Sequence, residues 1–457
     1  MRAEVRLGGA TARLAEFSAG LRFEHLGDVA RRAVRRHLLD TLGAAIAGTQ
    51  GAPSRIAAKT LAQLESGGDV PVPGTSERWQ RLSAAYLLGA SAHGLELDDG
   101  YRPGSVHPGA PVIPAVLAAA WGNKVDGPRT ATAIAVGYEV LTRVAETIHP
   151  ASRKRGFHNT PVTGVMGAAA AAASVLGLNA HQTANALGIA ASSAAGLFAF
   201  LHGGGEIKRL HPGFAAREGL FAALLAANGM TGPAGVLETE DGFLQAFGGG
   251  AADVEKLVAG LGDGFNVARC YLKPYACCRH LHPGLDAVIA VARDEGVTAA
   301  DIAAIEIGTY SIAAGHARGG WEEMAAAQMN YRFCIALAAF EGQVGITQFD
   351  AAHLADPVLA ELAQKVSVSV DDACEAEYPR LRSAHVTVRT TAGAQHHRYI
   401  DEPLGSARHP LSDEAVVRKF QDLVTPVVGA AGADRLRQTV LALDTLTDVD
   451  TLLAPTA

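Results

Sequence analysis

Between residues 95 and 109 the sequence reads Leu95-Glu96-Leu97-Asp98-Asp99-Gly100-Tyr101-Arg102-Pro103-Gly104-Ser105-Val106-His107-Pro108-Gly109. It brings three carboxylates, an Arg, a Tyr, a Ser and a His together between glycines and prolines. An apolar run, 84–95, precedes it, and a second begins at residue 112. We therefore predict a polar loop held between two buried helices, where a scaffold fixes the geometry of reactive groups. A solvated inter-helix loop with a helix cap is the simpler alternative, and composition alone does not decide between the two.

The composition indicates a globular protein with more than one domain. The 457 residues are more than one hydrophobic core ordinarily supports. Hydrophobic residues make up 49% of the chain and charged residues 19%, as in globular proteins. The net charge of -7 is modest and there is no run of Lys and Arg, which argues against nucleic acid or an acidic membrane as partner. The five cysteines are an odd number and two are adjacent, which does not resemble a secreted disulfide framework. We therefore expect a cytoplasmic protein.

No stretch of the sequence predicts a signal peptide or a membrane span. Residues 1–6 contain an acid and lack an apolar core. The most membrane-like segment, 162–176, is mostly Ala and Gly and is shorter than the roughly 20 residues that a span needs. We expect it to form a buried helix that packs closely against its neighbours.

Most of the chain predicts helices. No strand-like alternation occurs before residue 265, where the predicted helices cover 11–48 (as two helices), 79–95, 111–121, 131–148, 160–176, 181–200 and 215–229. Two more helices, 411–423 and 431–443, are expected to return to this first domain. The prediction is a large all-α domain, 1–264, completed by the C-terminal residues 406–457.

Residues 265–405 predict a smaller α+β domain. Alternation of period two indicates strands at 302–310, 366–370 and 385–390, and the last turns at Gly393 into 395–400 as a hairpin. Helices 284–294 and 330–340 lie between them. The fold class is therefore mainly α.

His158 lies just before a predicted helix N-terminus, in Arg155-Gly156-Phe157-His158-Asn159-Thr160-Pro161. Asn159 or Thr160 can cap that helix, with Pro161 at or near its first position. The helix dipole there favours an anion and disfavours an imidazolium, so a neutral His158 beside a bound carboxylate is a candidate base. A surface histidine in a capping loop is the alternative.

A third cluster combines glycines with cations, in Gly203-Gly204-Gly205-Glu206-Ile207-Lys208-Arg209-Leu210-His211-Pro212-Gly213. The glycines let backbone amides approach a ligand, and two cations follow them. A phosphate-binding loop is excluded because no strand precedes the glycines and no Gly-Lys-Ser/Thr is present. A mobile surface loop with a charge cluster is the alternative.

The fourth cluster is Leu272-Lys273-Pro274-Tyr275-Ala276-Cys277-Cys278-Arg279-His280-Leu281-His282-Pro283. Its two Cys and two His are too close together for a tetrahedral zinc site, and no second pair follows, so we predict no metal. Lys273 and Arg279 suit carboxylate binding, Arg through its planar fork and Lys as a point charge. A catalytic cysteine is the alternative.

Leu-Glu-Leu-Asp-Asp followed by Ser-Val-His-Pro-Gly-Ala-Pro-Val-Ile-Pro resembles the signature loop of the MmgE/PrpD family. This family includes 2-methylcitrate dehydratases, cis-aconitate decarboxylases and iminodisuccinate epimerases. Leu39-Asp40-Thr41-Leu42-Gly43-Ala44 resembles the family's first helix, and the other clusters follow in the family's order. The resemblance covers the chain from about Leu39 to the C-terminal helices. It implies that the α+β domain acts as a lid, with the active site in the cleft, and that no metal or organic cofactor is needed.

The resemblance also implies the residues of the site. Glu96 stands where family members usually have Asp. Gly100 replaces a Thr that the decarboxylase branch places in its site. Cys278 occupies about the position of one of that branch's histidines, although His280 and His282 are near, and the loop before His107 is about one residue longer. The predicted catalytic set is Glu96, Asp99, His107, His158, Lys208, Lys273 and Tyr310. The predicted substrate-binding set is Gly100, Lys208, Lys273, Arg279 and His282.

These groups suit removal of a proton α to a carboxylate, on a substrate with two or three carboxylates held by cations and helix N-termini. His158 is the predicted base, with Lys208 or Lys273 as rivals because clustered cations lower a lysine pKa. His107 and Tyr310 are candidate acids, and Glu96 or Asp99 is expected to orient His107.

We therefore expect a cofactor-independent lyase that dehydrates or hydrates a hydroxy-polycarboxylate such as 2-methylcitrate. An epimerase of an iminodisuccinate-like substrate, or a decarboxylase of a cis-aconitate-like one, needs the same carbanion step and is the alternative. A catalytically idle polycarboxylate-binding protein is the rival from another class. The Ala- and Gly-rich helices permit close contact, so we also predict a homodimer.

Overall fold

The computed structural model describes residues 8–200, 205–250 and 252–454. Residues 1–6 and the pair Gly203-Gly204, considered above, lie outside the described residues. The chain divides into two compact units, the first made of Met1–Gly94, Asp98–Tyr271 and Ser412–Ala457 and the second of Leu95–Leu97 and Leu272–Leu411. Helices dominate, so the mainly-α prediction is confirmed, whereas the lid role of the α+β part stays a prediction.

The first unit is built from helices that pack through small side chains. All six alanines from Ala168 to Ala173 are fully buried, and a Cβ on Gly167 would lie 2.6 Å from Cβ of Leu141. Backbones therefore approach closely here, and the buried helix predicted from its Ala and Gly content is confirmed. Among its described residues, this unit has the helices Ala10–Gly20, Asp28–Gly48, Ala52–Leu61, Arg81–His93, Gly109–Ala120, Gly127–Ile148, Ala151–Lys154, Asn159–Leu176, Ala180–Ala191, Ile207–Ala227, Phe243–Gly248, Glu255–Val258 and Asp413–Leu441. Short 3-10 turns lie at Phe23–His25, Asn266–Arg269, Leu443–Thr445 and Val449–Leu452. None of the described helices combines the length and the apolar character that crossing a membrane requires.

Three details of this unit correct the prediction. Val70–Pro71 and Arg78–Trp79 pair as antiparallel strands, which are too short to leave an alternation in the sequence. The helix predicted over 181–200 ends at Ala191, before Gly196, whose φ of 132° is not helical. The predicted helix 215–229 begins instead at Ile207, despite Pro212.

Packing explains the early start of the Ile207–Ala227 helix. A Cβ on Gly213 would lie 2.5 Å from the carbonyl oxygen of Tyr86, so this glycine permits contact with the Arg81–His93 helix. The close helix contact outweighs the usual helix-breaking effect of Pro212-Gly213. The C-terminal helix pair was predicted with a break after residue 423, and Gly429 kinks the Asp413–Leu441 helix at φ 73° and ψ 163°.

The second unit carries a four-stranded sheet. Its strand order is Val366–Val370, Ile302–Thr309, Ala384–Thr390 and Gln395–Ile400, in which the first pair is parallel and the others are antiparallel. The strands predicted from period-two alternation are present, and Gly393 makes the hairpin turn at φ 87°. The helices of this unit are His282–Glu295, Ser311–Gly315, Met324–Ala327, Tyr331–Glu341, Ala351–Leu354, Pro357–Gln364 and Asp372–Glu377. Its 3-10 turns are Arg279–Leu281, Ala299–Asp301 and Ile346–Phe349.

Candidate active site

The loop between the Arg81–His93 and Gly109–Ala120 helices is buried. Asp98 and Asp99 are 0% exposed, which excludes the alternative of a solvated loop. Glu96 and Ser105 hold left-handed backbone, at φ 56° and 53°. Residues with a side chain adopt this conformation only where their surroundings fix it, and such strain concentrates at functional sites.

Asp99 anchors this loop. Its Oδ1 accepts the N–H of Gly109 at 2.9 Å, its Oδ2 accepts the hydroxyl of Tyr138 at 2.6 Å, and His37 Nδ1 lies 2.7 Å from Oδ2. The carboxylate therefore holds the start of the next helix. The expectation that this carboxylate orients His107 is corrected, because the backbone carbonyl of Asp99 accepts from His107 Nδ1 at 2.7 Å.

Asp98 joins two histidines. Its Oδ2 lies 2.6 Å from His93 Nδ1 and 3.3 Å from His107 Nδ1. The two imidazole rings meet edge to face with centroids 4.9 Å apart. Since both Nδ1 atoms face oxygen acceptors, both rings carry a proton on Nδ1.

Two groups among the described residues have a spacing that a metal ion could use. One is His93, Asp98 and His107. The Nδ1 atoms of both histidines face Asp98 Oδ2, so the same three side chains also form a hydrogen-bonded cluster. The other is Asp371, Cys374 and His385, in which Asp371 already caps the Asp372–Glu377 helix.

His158 is buried at a helix end, next to aromatic rings and other histidines. It lies just before the Asn159–Leu176 helix, as predicted, where it occupies the N-cap position, and it is 2% exposed. The rings of Phe198 and Phe200 lie 4.8 and 5.6 Å from its own ring. Its Nδ1 lies 2.8 Å from Nδ1 of His211.

Electrostatics keep His158 and His211 neutral. Burial, followed by the neighbouring His93, His211 and His107, lowers the pKa of His158 well below its ordinary value. Burial, followed by His93 and Lys208, lowers the pKa of His211 to about 4. A neutral His158, as predicted for a base, is therefore its state at pH 7.

The predicted cap of this helix is wrong. Neither Asn159 nor Thr160 caps it, because both side chains bind other segments. Nδ2 of Asn159 donates to Gly104 O at 2.9 Å, and its Oδ1 accepts the hydroxyl of Ser152 at 2.7 Å. The hydroxyl of Thr160 accepts the N–H of His107 at 3.2 Å. These bonds fix the helix to the buried loop and thereby position His107.

Lys208 lies in the first turn of the Ile207–Ala227 helix, one turn before His211, and is half-buried. Its charge is among the causes that lower the pKa of His211. The first unit therefore brings four of the predicted residues into one region: His107, His158, Lys208 and, as an anchor, Asp99.

Lys273 and Glu96 form a buried pair in the second unit. Lys273 is 1% exposed, and its Nζ donates to the carbonyl oxygen of Glu96 at 3.1 Å and to Oε2 at 3.4 Å. The carboxylate of Glu96, expected to orient His107, has Lys273 as its partner. Asp98 and the carbonyl of Asp99 orient His107.

Tyr310 is fully buried in the second unit and ends a chain of polar groups. Its Oη lies 2.6 Å from His280 Nδ1, and its ring stacks on Tyr378 at 4.5 Å. His280 stacks on His316, whose Nε2 lies 3.8 Å from Sγ of Cys278. Burial raises the pKa of Tyr310 well above its ordinary value, so the side chain stays a neutral phenol that can donate a hydrogen bond.

Arg279 and His282 bind protein groups. Nη1 of Arg279 contacts His282 Nδ1 at 2.8 Å and donates to Leu404 O at 2.7 Å, while Nη2 donates to Pro403 O at 3.1 Å. His282 is 0% exposed. Their predicted role in substrate binding stays a prediction, and this geometry favours a structural role.

Sequence comparison decides the family. The MmgE/PrpD N-terminal domain matches residues 12–255, and the MmgE/PrpD C-terminal domain matches residues 275–445. The chain belongs to the MmgE/PrpD family. The resemblance noted in the sequence is thereby confirmed.

Relatives of this MmgE/PrpD protein are named cis-aconitate decarboxylases. That of Aspergillus terreus is 29% identical over 469 residues, which cover 97% of this chain and 95% of the relative. The cis-aconitate decarboxylase-like protein oryM of Aspergillus oryzae is 30% identical over 472 residues, which cover 98% and 97%. The human cis-aconitate decarboxylase is 34% identical over 230 residues, 49% of this chain and 47% of its own. The prediction of an MmgE/PrpD-type enzyme of the lyase class is confirmed.

Gly100 of this MmgE/PrpD chain is required by Tyr271. Gly100 N donates to Tyr271 O at 3.0 Å, and Tyr271 N donates to Gly100 O at 2.8 Å. A Cβ on Gly100 would lie 2.2 Å from the phenol oxygen of Tyr271. The phenol thus occupies the space that a Thr side chain would need.

Sequence reasoning missed three histidines: His93, His211 as a partner of His158, and His280 as a partner of Tyr310. The signals were present but weak. His93 ends an apolar helix five residues before Asp98, and His211 follows Lys208 by one helical turn.

Proposed function

We propose that this protein is a lyase that removes CO2 from an unsaturated tricarboxylate, with cis-aconitate as the first candidate substrate. The observation that carries this is the agreement of its relatives: cis-aconitate decarboxylases match 97% of the chain. The dehydration of 2-methylcitrate that we expected from sequence receives no such support, and the decarboxylase alternative fits better.

The geometry of the described residues supports this proposal. The bond to one carboxylate breaks, CO2 leaves, and the electron pair stays on a carbon conjugated to the C=C bond. That carbanion then takes a proton from an acid. Nε2 of His158 is our candidate for the acid that protonates the carbanion. The His158 ring is neutral, packs against Phe198 and contacts His211 through its other nitrogen, Nδ1. We propose that Lys208 binds a carboxylate that stays on the substrate. His107, Lys273 and Tyr310 stay candidate site residues.

Dehydration is the second candidate, and one observation favours it. The phenol of Tyr271 overlaps the place of a Cβ at position 100, where the resemblance places a Thr in the decarboxylase branch. The site of this chain therefore differs locally from that branch, and a different substrate side group could be accommodated.

Proton NMR in heavy water tests the two candidates. The purified, chelator-treated enzyme is offered cis-aconitate, 2-methylcitrate and iminodisuccinate in separate tubes. We expect cis-aconitate to lose CO2 and the product to carry one solvent deuterium. Loss of water from 2-methylcitrate without CO2 would replace decarboxylation by dehydration, and deuterium at an α-carbon without net loss would indicate an epimerase. Unchanged spectra in all three tubes would contradict both candidates and favour the binding protein.

Lys208→Ala tests the proposed carboxylate contact. We expect KM to rise by at least about 10-fold with an unchanged melting temperature, since one charge-assisted contact contributes roughly 1.5–3 kcal/mol. Lys154→Ala, at an exposed lysine, is the matched control. Full turnover at low substrate by Lys208→Ala would remove this lysine from the site.

The homodimer and the cytoplasmic location remain predictions. Equilibrium sedimentation decides the first, and a mass of one chain would contradict it.

A further inference from the structure

The two buried histidines His158 and His211 share one hydrogen bond. Their Nδ1 atoms are 2.8 Å apart. A hydrogen bond between two imidazole nitrogens needs one N–H and one lone pair, so one Nδ1 is protonated and the other is not. The tautomer of each ring therefore depends on the tautomer of the other.

We propose that His211 is a relay residue that passes a proton to Nδ1 of His158 while Nε2 of His158 gives its proton to the substrate carbanion. This inference rests on the proposed function, in which His158 is the acid. It states how His158 can give up its Nε2 proton without becoming an imidazolate anion. His211 does not touch the substrate and acts through His158.

The protons balance as follows. Before the step, His211 Nδ1–H donates to the lone pair of His158 Nδ1, and His158 carries its own proton on Nε2. The Nε2 proton then forms the new C–H bond, the Nδ1 proton of His211 moves to His158 Nδ1, and His211 takes one proton from solvent at Nε2. Both rings end neutral with exchanged tautomers. The same movements in reverse, with solvent protonating His158 Nε2, restore the starting state.

The surroundings favour a neutral relay over a charged intermediate. His158 is enclosed by Phe198 and Phe200, which lie 4.8 and 5.6 Å from its ring, and Phe200 also lies 6.1 Å from His211. Charged imidazole is costly in such a pocket. The groups whose charge acts on the pair are His93, His107 and Lys208, which disfavour another cation, and Asp98, which acts in the opposite direction on His158.

His211→Asn separates relay from positioning. The Asn amide can still donate to His158 Nδ1 but cannot pass a proton on. We expect kcat to fall at least about 100-fold with KM within about twofold, the size of a lost acid–base contribution. His181→Asn, at an exposed histidine, is the control. A His211→Asn enzyme that keeps its kcat would overturn the relay and leave only a positioning role.

His211→Ala with added imidazole provides the second measurement. Imidazole that enters the vacated space should restore turnover, and substituted imidazoles should restore it in an order that follows their pKa. A folded His211→Ala enzyme that no imidazole rescues would overturn the proposal.

Nitrogen NMR of the wild-type chain, which reports the tautomer of each histidine ring, tests the relay separately from the proposed decarboxylation. If the enzyme does not decarboxylate cis-aconitate, the proposed function fails, yet the relay still requires one Nδ1-protonated ring and one Nε2-protonated ring at pH 7. Two Nε2 tautomers, or a cationic ring at that pH, would overturn the relay whatever the substrate.

Discussion

Neutralising one partner of the Lys273–Glu96 pair should lower the free energy of unfolding far more than neutralising both. The Lys273 side chain is 1% exposed and that of Glu96 is 7% exposed, with Nζ 3.4 Å from Oε2. Lys273→Met leaves a buried carboxylate without its ammonium partner, which typically costs about 3–5 kcal/mol. In Lys273→Met/Glu96→Gln no charge is left buried, so we expect most of that loss to be recovered.

The assay is urea unfolding followed by the fluorescence of Trp321. This residue lies in the second unit and stacks on Phe333 at 5.8 Å. The chain has three tryptophans, so Trp79→Phe/Trp121→Phe in every variant leaves one reporter for the unit that holds the pair. The two single variants and the double variant complete a mutant cycle with a coupling energy expected at about 2–3 kcal/mol.

Activity is the second readout of this cycle. If Lys273 binds substrate, the double variant regains stability but stays inactive. Additive losses of stability would refute the buried ion pair, and a stable double variant with full turnover would remove Lys273 from the site.

Three further predictions follow from single contacts. Gly100→Ala should destabilise the protein by about 1–3 kcal/mol because its Cβ meets the Tyr271 phenol at 2.2 Å. The control is Gly264→Ala, at an exposed glycine with nothing within 4 Å, which should leave the melting temperature unchanged, and equal melting temperatures of the two variants would contradict the clash. The free energy of unfolding should fall as pH drops from 6.5 to 4, because the unfolded chain binds a proton at His211 that the folded protein excludes until pH about 4, and His211→Asn should flatten that fall. A pH profile of His211→Asn as steep as that of the wild type would show that other groups are responsible. Tyr310→Phe should keep the fold and lower kcat by about 10²-fold or more if the phenol donates a proton, and unchanged kcat would exclude it as an acid.

The sequence predicts elements that depend on local pattern and fails where distant contacts decide. The Asn159–Leu176 helix and the strands near Ile305 and Val386 follow from periodicity. The start of the Ile207–Ala227 helix does not follow from periodicity. Gly213 predicts a break in the helix, and only the structure shows its contact with Tyr86.

The candidate site shows the same limit. The place of His158 before a helix is predictable because the residues that follow it directly are typical of a helix N-terminus. His93 is not, because a histidine on an apolar helix usually belongs to the core, and only the fold brings its Nδ1 within 2.6 Å of Asp98. Glu96 is one of two carboxylates, with Asp99, that the sequence offers for orienting His107, and its contact with Lys273, 177 positions away in sequence, has no local signal.

The contact between Gly100 and Tyr271 also limits how such a chain can evolve. While the phenol lies 2.2 Å from the missing Cβ, any replacement of Gly100 meets a steric barrier. A smaller residue at position 271 removes this overlap, so a side chain at position 100 is tolerated better once that residue is present. The reverse order passes through an overpacked intermediate, so the two substitutions are epistatic and their historical order is constrained.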